Sequence, residues 1–207
     1  MVPLSGPLRP RVEGDREQEI LDATLTVLAE AGYDRLTMDA VAAEAKASKA
    51  TLYRRWSSKP ELVVEAVCSA KVHPPAPDTG SLRGDLLAAH CGMGGLGDPR
   101  ATAVQAAVVT AMSRDEEFAA TYRREFIAPK LAAARVIFER ARGRGEIRDD
   151  VDLDVIAPAL PGIVLHRVFL LGDDATPDLV ARVIDEVILP AVSRSSTHLD
   201  PRQESDD

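Results

Sequence analysis

Apolar residues recur at helical spacing along most of this chain and nowhere alternate over a useful length, which predicts an all-α protein. Ile20, Ala23, Val27, Leu28 and Ala31 mark one face of a first helix. It opens near Asp15, which with Gln18 makes a capping-box-like pair, and Gly32 ends it. Met38, Val41, Ala42 and Ala45 form a shorter stripe behind Thr37, a suitable N-cap with Asp39 in the first turn. Leu52 and Trp56, four apart, form a third stripe behind Ser48. Only Lys46 and Ala47 separate these two short helices, so they meet in a tight turn: a helix-turn-helix. Ser58 and Glu61 make another capping box, opening a helix through Leu62, Val63, Ala66 and Val67 to about Val72.

Three prolines within residues 73–80 end that helix and place a domain boundary there. Beyond Ser81 a helix runs through Leu82, Leu86, Leu87 and His90 to glycines at 92, 94, 95 and 97. Asp98 to about Ser113 is apolar almost all round, the pattern of a helix wrapped by others. Asp115 to Ala141 reads as one long helix kinked near Pro129. Acidic residues from Asp149 to Asp154 start the next, Val155 to Leu171, whose Pro158, Pro161 and Gly162 predict a broken first half. The last helix, Pro177 to about Val192, carries two adjacent apolar strips, Leu179-Val183-Val187 and Val180-Ile184-Ile188. That is wider than one neighbour requires. With Ile163 and Val168 of the preceding helix, the surplus predicts a two-fold dimer packed as a four-helix bundle.

The organisation that follows is a helix-turn-helix domain over residues 1–72, with 1–14 a disordered arm. A larger helical domain follows over 80–193, then a polar disordered tail over 194–207. Arg9 and Arg11 of the arm suit either a free tail or a reach into a minor groove. With 207 residues, 45% of them apolar, the chain is long enough for a proper core. Two cysteines, Cys68 and Cys91, and no amino-terminal apolar region imply a reduced, cytoplasmic protein. The longest apolar stretch, Val155 to Leu165, is about half the ~20 residues of a membrane span, and reads as a buried helix.

Charge sharpens the picture. From Ala45 to Pro60 stand Lys46, Lys49, Arg54, Arg55 and Lys59 without one acidic residue, in a chain of net charge −8. Lysine and arginine neutralise phosphates, arginine also pairs with guanine in the major groove, and Tyr53 offers a phenolic donor. Lys49, Ala50, Tyr53 and Arg54 point away from the Leu52–Trp56 face and are the candidate readers. From residue 74 onward the chain holds 15 basic and 22 acidic residues, a poor surface for DNA.

At these residues the resemblance becomes specific. The run Thr37-Met38-Asp39-Ala40-Val41-Ala42, then Ser48 to Trp56, then Ser58-Lys59-Pro60-Glu61-Leu62, resembles the DNA-binding domain of the TetR family of bacterial transcriptional regulators, over roughly residues 16–66. Where that family often has Gly-Val in the turn, this chain has Lys46-Ala47, which asks a non-glycine residue to adopt a left-handed conformation. Trp56 stands where Phe or Tyr is usual. The resemblance implies a homodimeric repressor that releases a palindromic operator when a small-molecule effector changes the distance between its two reading heads. The DNA-binding set is then Thr37, Ser48, Lys49, Ala50, Thr51, Tyr53, Arg54 and Lys59, with Lys49 and Arg54 in the major groove and Thr37, Tyr53 and Lys59 on phosphates. The start of the helix at Ser58 adds free amides where a phosphate fits.

For the effector, the polar side chains on otherwise apolar helices, Gln105, Tyr122 and His166, with Met112, Phe126 and Phe169, are the candidate lining of a mainly apolar cavity. Two rival readings are weaker. The glycines of 92–97 spell G-x-G-x-x-G, the mark of a nucleotide-using enzyme, but they follow a helix and no parallel sheet is in prospect. Cys68, His73, His90 and Cys91 are zinc-capable types without a C-x-x-C pair. No catalytic residue, metal or cofactor is implied; a ligand-independent DNA-binding structural protein is the third reading.

Overall fold

The computed structural model describes residues 13–70, 75–91 and 98–193. All but the end of the expected arm, the 194–207 tail, residues 71–74 and the glycine run at 92–97 lie outside them. Among the described residues the regular structure is helical, with one isolated bridge between Ile147 and Ser193. The chain folds as two compact units, and they do not follow chain order: residues 98–129 pack with 1–73, while 74–97 and 130–207 make the second.

In the first unit, α1 (Glu13–Arg35) is the central element, against which α2 (Met38–Glu44), α4 (Lys59–Ser69) and α6 (Pro99–Arg114) pack. Its start differs from expectation. Asp15 lies inside the helix and Gln18 donates to Asp22 at 2.9 Å, so the pair forms no capping box. Gly32 interrupts the helix at φ 75°, after which one more turn brings Tyr33 and Leu36 into the core. α3 (Lys49–Arg55) follows α2 and buries Leu52, with Trp56 just beyond it. α6 is not sealed on all sides: it buries Ala107, Val108 and Ala111 but leaves Val109 half exposed, because α1 and α7 (Glu116–Tyr122) cover only one flank.

Where a kink is expected near Pro129, a wider π-helical turn, Arg123–Ile127, precedes α8 (Ala128–Gly143). Proline has no N–H for the carbonyl of Glu125, four residues back. Cys68 Sγ lies 3.9 Å from that oxygen and supplies a weak donor.

The second unit contains α5 (Leu82–Cys91), α8 from Lys130 onward, the short α9 (Leu153–Ile156), α10 (Ala159–His166), α11 (Pro177–Val183) and α12 (Leu189–Val192). Pro158 breaks α9 from α10, as the prolines predicted. π turns follow α10 (Arg167–Leu171, stopped by left-handed Gly172) and α11 (Ile184–Ile188, just before Pro190). Leu82, Leu86, Ile137, Phe138, Leu160 and Ile184 fill its core.

A buried polar tie fixes the start of α5. Asp85, fully buried, accepts from Thr79 N–H at 2.6 Å, from Thr79 O–H at 2.8 Å and from Arg144 Nη2 at 3.2 Å. Glu146, paired with the same Arg144, accepts from Leu82 N–H at 2.7 Å. Thr79 folds so closely over Gly84 that a Cβ there would meet its hydroxyl at 2.2 Å.

Candidate nucleic-acid interface

The reader is assembled from caps and a turn. Thr37 Oγ1 accepts the N–H of Ala40 at 3.1 Å and starts α2, and its own O–H donates to no acceptor among the described residues. α2 closes on Lys46, the one described non-glycine residue with positive φ (49°). Lys46 N–H bonds Ala43 C=O at 3.1 Å and Ala47 N–H bonds Ala42 C=O at 2.8 Å, the paired closure of a Schellman motif with lysine where glycine is favoured. Arg16 of α1 donates from Nη2 to the Lys46 carbonyl at 2.8 Å and holds the strained turn. Ser48 Oγ then accepts from Thr51 N–H at 3.1 Å and shares a 2.8 Å bond with the Thr51 hydroxyl, opening α3.

With Leu52 and Trp56 buried, Lys49, Ala50, Tyr53 and Arg54 are left exposed on the opposite face, Tyr53 by 52%. The basic residues of this island have different partners. Lys49 Nζ pairs with Asp39 Oδ1 at 2.6 Å, both well exposed, so the pair opens at little cost. Arg54 makes no ion pair among the described residues. Arg55, by contrast, is tied to Glu17 at 3.0 Å and Glu65 at 2.7 Å.

Lys59 opens α4 with its ammonium 3.9 Å over the ring of Tyr33, and burial there lowers its pKa although Asp34 and Asp115 oppose the shift. The capping box behind it is displaced by one residue. Ser58 Oγ accepts from Glu61 N–H at 3.3 Å, but the Glu61 carboxylate takes the N–H and O–H of Ser57, each at 2.7 Å. Pro60 has no N–H, so few amides remain for a phosphate, fewer than the sequence promised.

The other expected sites are divided. Gln105, Met112, Tyr122 and Phe126 belong to the first unit. Tyr122 and Phe126 are buried in a ring stack with centroids 4.8 Å apart, continued to Phe118 at 5.8 Å. Burial raises the Tyr122 phenol, and its side-chain bond to Gln105 opposes that. These rings are core packing. His166 is exposed and Phe169 half-buried, both in the second unit. A shallow depression of about 230 Å³ in that unit is lined by Arg167, Asp173, Asp174, Thr176, Asp178, Leu179 and Arg182, a charged lining unlike an apolar cavity.

The strips expected at a dimer interface are mostly covered within the single chain. Val180, Val183 and Ile184 are buried within the single chain, Ile163 and Val168 are half-buried, and only Val187 is exposed, because the strips face the core of their own unit. The most exposed apolar side chains of this unit are Val155 (68%), Leu170 (73%) and Leu171 (59%), ahead of Leu131, Val136 and Val187. His166 and Arg167 do not end the helix. Taken across its interruption at Pro158, Leu153–Leu171 is long and apolar enough by composition alone to cross a membrane, yet only 17% of it is buried, unlike the buried helix expected. Its missed signal was that Asp154, His166 and Arg167 are the only ionisable side chains from Leu153 to Leu171. His90 Nδ1 lies 2.9 Å from Leu86 C=O, and burial lowers its pKa; His73 and the side chain of Cys91 lie outside the described residues.

Comparison with known proteins covers both units. The family model described as bacterial regulatory proteins, tetR family, matches residues 20–66, and that for the Tetracyclin repressor-like C-terminal domain matches residues 76–187. An HTH-type transcriptional regulator of Mycobacterium bovis, itself uncharacterized, is 39% identical over 199 residues, 92% of this chain and 94% of that protein. The DNA-binding transcriptional repressor TetR of Mycobacteroides abscessus is 37% identical over 178 residues, 84% of this chain and 92% of that one. A crystal structure of a TetR family transcription regulator is 29% identical, with a TM-score of 0.64 over 87% of this chain and 100% of its own.

Proposed function

The chain belongs to the TetR family of DNA-binding transcriptional regulators, a non-enzymatic class, and we propose that it is a cytoplasmic repressor that binds a palindromic operator as a homodimer until a small-molecule effector releases it. The observation that carries the reading is the α3 face. In a chain of net charge −8, a seven-residue helix capped by Ser48 exposes Lys49, Ala50, Tyr53 and Arg54 without an acidic side chain on that face. Lys49 and Arg54 read base edges. Thr37, Ser48, Thr51, Tyr53 and Lys59 serve the backbone, Lys59 by leaving the Tyr33 ring for a phosphate. One such helix reads too few bases for useful specificity, which favours two copies and a two-fold operator.

The effector contacts proposed in the first unit are Gln105, Met112, Tyr122 and Phe126, where an apolar molecule would separate the ring stack and use Gln105 and Tyr122 as polar groups. His166 and Phe169 are the candidates of the second unit.

Selection of bound fragments from random duplex DNA tests the reading. Enrichment of an inverted repeat, whose recognition weakens in Lys49→Ala plus Arg54→Ala, is the expected result. Recovery of no preferred sequence would remove the repressor reading. A small-molecule screen for release of that fragment then tests the effector, and Phe126→Ala should change the release without changing effector-free affinity.

A further inference from the structure

Arg55 stands inside the basic island, yet its side chain is turned away from the reading face. Its Nη2 donates to Glu17 Oε1 of α1 at 3.0 Å and to Glu65 Oε1 of α4 at 2.7 Å, and its guanidinium lies 5.4 Å from the centre of the Trp56 ring. Glu65 Oε2 accepts the indole N–H of Trp56 at 2.8 Å, so one carboxylate of α4 holds the last residue of α3 and the aromatic plug that follows it. The cluster carries one positive charge against two negative ones. A phosphate brought to it would meet two carboxylates for one shared cation.

We propose that Arg55 is a positioning residue for DNA reading: it locks the carboxyl end of the recognition helix to α1 and α4 and takes no phosphate itself. The inference rests on the DNA-binding reading above and adds a division of labour within the island, Arg54 facing DNA and Arg55 facing the protein. Geometry explains why arginine serves here. Both carboxylate bonds leave one nitrogen, Nη2, whose two N–H groups are fixed in the plane of a guanidinium that also lies against the Trp56 ring, and the rotating ammonium of lysine has no such plane to lay on the ring. The glutamates add a secondary sign of the same arrangement: burial raises the Glu65 carboxyl, and a bond from Glu17 works in the same direction against Trp56 and Arg55.

The decisive variant is Arg55→Lys, which keeps the charge and loses the planar guanidinium with its two fixed Nη2 donors. Two readouts are taken on the full chain. The first needs no DNA: Trp56 is the only tryptophan, so its emission and acrylamide quenching report the cluster directly. Arg55→Lys and Arg55→Ala should both shift Trp56 emission to the red and raise quenching, with far-ultraviolet circular dichroism unchanged. The second is affinity for the selected fragment and for random duplex across a salt series. Both variants should lose about tenfold on the selected fragment with the salt slope retained, whereas Arg54→Ala should lower the slope by about one unit. In a Glu17→Gln plus Glu65→Gln background, Arg55→Ala should cost nothing further. The proposal is overturned if Trp56 is indifferent to both variants, or if Arg55→Lys binds like the unaltered chain while Arg55→Ala loses a unit of slope. Absence of any sequence preference in the unaltered chain would count against the repressor reading alone, and Trp56 would still decide the role of Arg55.

Discussion

The phenol of Tyr33 donates a 2.6 Å hydrogen bond to Oδ2 of Asp115, 82 residues further along the chain. The other oxygen of Asp115 accepts from Phe118 N–H at 2.9 Å and caps α7, while the Tyr33 ring sits 4.7 Å from that of Phe118 and carries the Lys59 ammonium on its face. One side chain from the turn after Gly32 thus joins the start of α4 to the corner between α6 and α7. The neighbouring pair Arg114–Asp34, at 2.6 Å, ties the same two segments at the surface.

Tyr33→Phe is expected to cost about 1.5–3 kcal/mol at neutral pH, the value of a hydrogen bond to a charged acceptor. The Tyr33 bond, first among its causes, holds the Asp115 carboxyl below the usual range. That contribution is present above the unfolded value of about 3.9 and is lost as pH falls through the folded one. The gap between variant and unaltered chain in urea unfolding should therefore stay constant from about pH 7 to about pH 5 and shrink as pH falls below about 4. A gap that does not shrink there would show that Asp115 is not the acceptor that matters.

Lys46→Gly should stabilise the first unit by about 1 kcal/mol, since glycine adopts a φ of 49° without the strain of a Cβ and the gain exceeds the added freedom of the unfolded chain. A higher Tm by calorimetry is the expected outcome. A lower one would mean that the lysine stem contributes packing worth more than the strain.

The helix-turn-helix was legible because it is written locally. Thr37 and Ser48 cap the helices they were expected to cap, Leu52 and Trp56 are buried, and Lys46 takes the left-handed turn inferred from the absence of glycine. What sequence did not reveal depends on distant partners. Arg55 looked like its neighbour Arg54 until Glu17 and Glu65 arrived from other helices, and the Lys59 ammonium found the Tyr33 ring. Periodicity showed that Val180, Val183 and Ile184 would be covered, but not by what. Nor could it show that α6 returns to the first unit, which makes core of Tyr122 and Phe126.

Asp85→Asn should cost about 2–3 kcal/mol, because the amide offers one acceptor where the carboxylate served Thr79 and Arg144, and Arg144 loses part of its countercharge. Burial by itself pushes the Asp85 carboxyl up; the two Thr79 bonds and Arg144 outweigh it and leave the pKa lowered. The stabilisation is therefore present above the unfolded value and lost as pH falls through the folded one. The protection factors of the α5 amides, with the intrinsic pH dependence of exchange divided out, should fall in acid for the unaltered chain, and should already be low at neutral pH in Asp85→Asn. Unchanged protection of α5 in the variant would mean that Glu146 on Leu82 N–H holds the helix without Asp85.

The proposed homodimer can be tested by setting one exposed residue against one buried residue. Leu170 is 73% exposed on a helix segment of which only 17% is buried, and a leucine covered by a partner contributes about 1.5–3 kcal/mol. In a two-fold interface the same residue counts twice, so Leu170→Glu brings two carboxylates to the contact without touching the core of either chain. It should sediment as a monomer whose denaturant unfolding matches that of the unaltered chain once concentration dependence is removed, and its affinity for an inverted repeat should fall towards that of a single half-site. Val183 is 5% exposed and packed within its own unit, so Val183→Asp buries an unpaired charge and should unfold that unit, at a cost of roughly 4 kcal/mol or more. The two substitutions therefore part company in circular dichroism before any sedimentation is run. A folded, monomeric Val183→Asp together with a dimeric Leu170→Glu would return the interface to the strip on the last helix and take it away from Leu170.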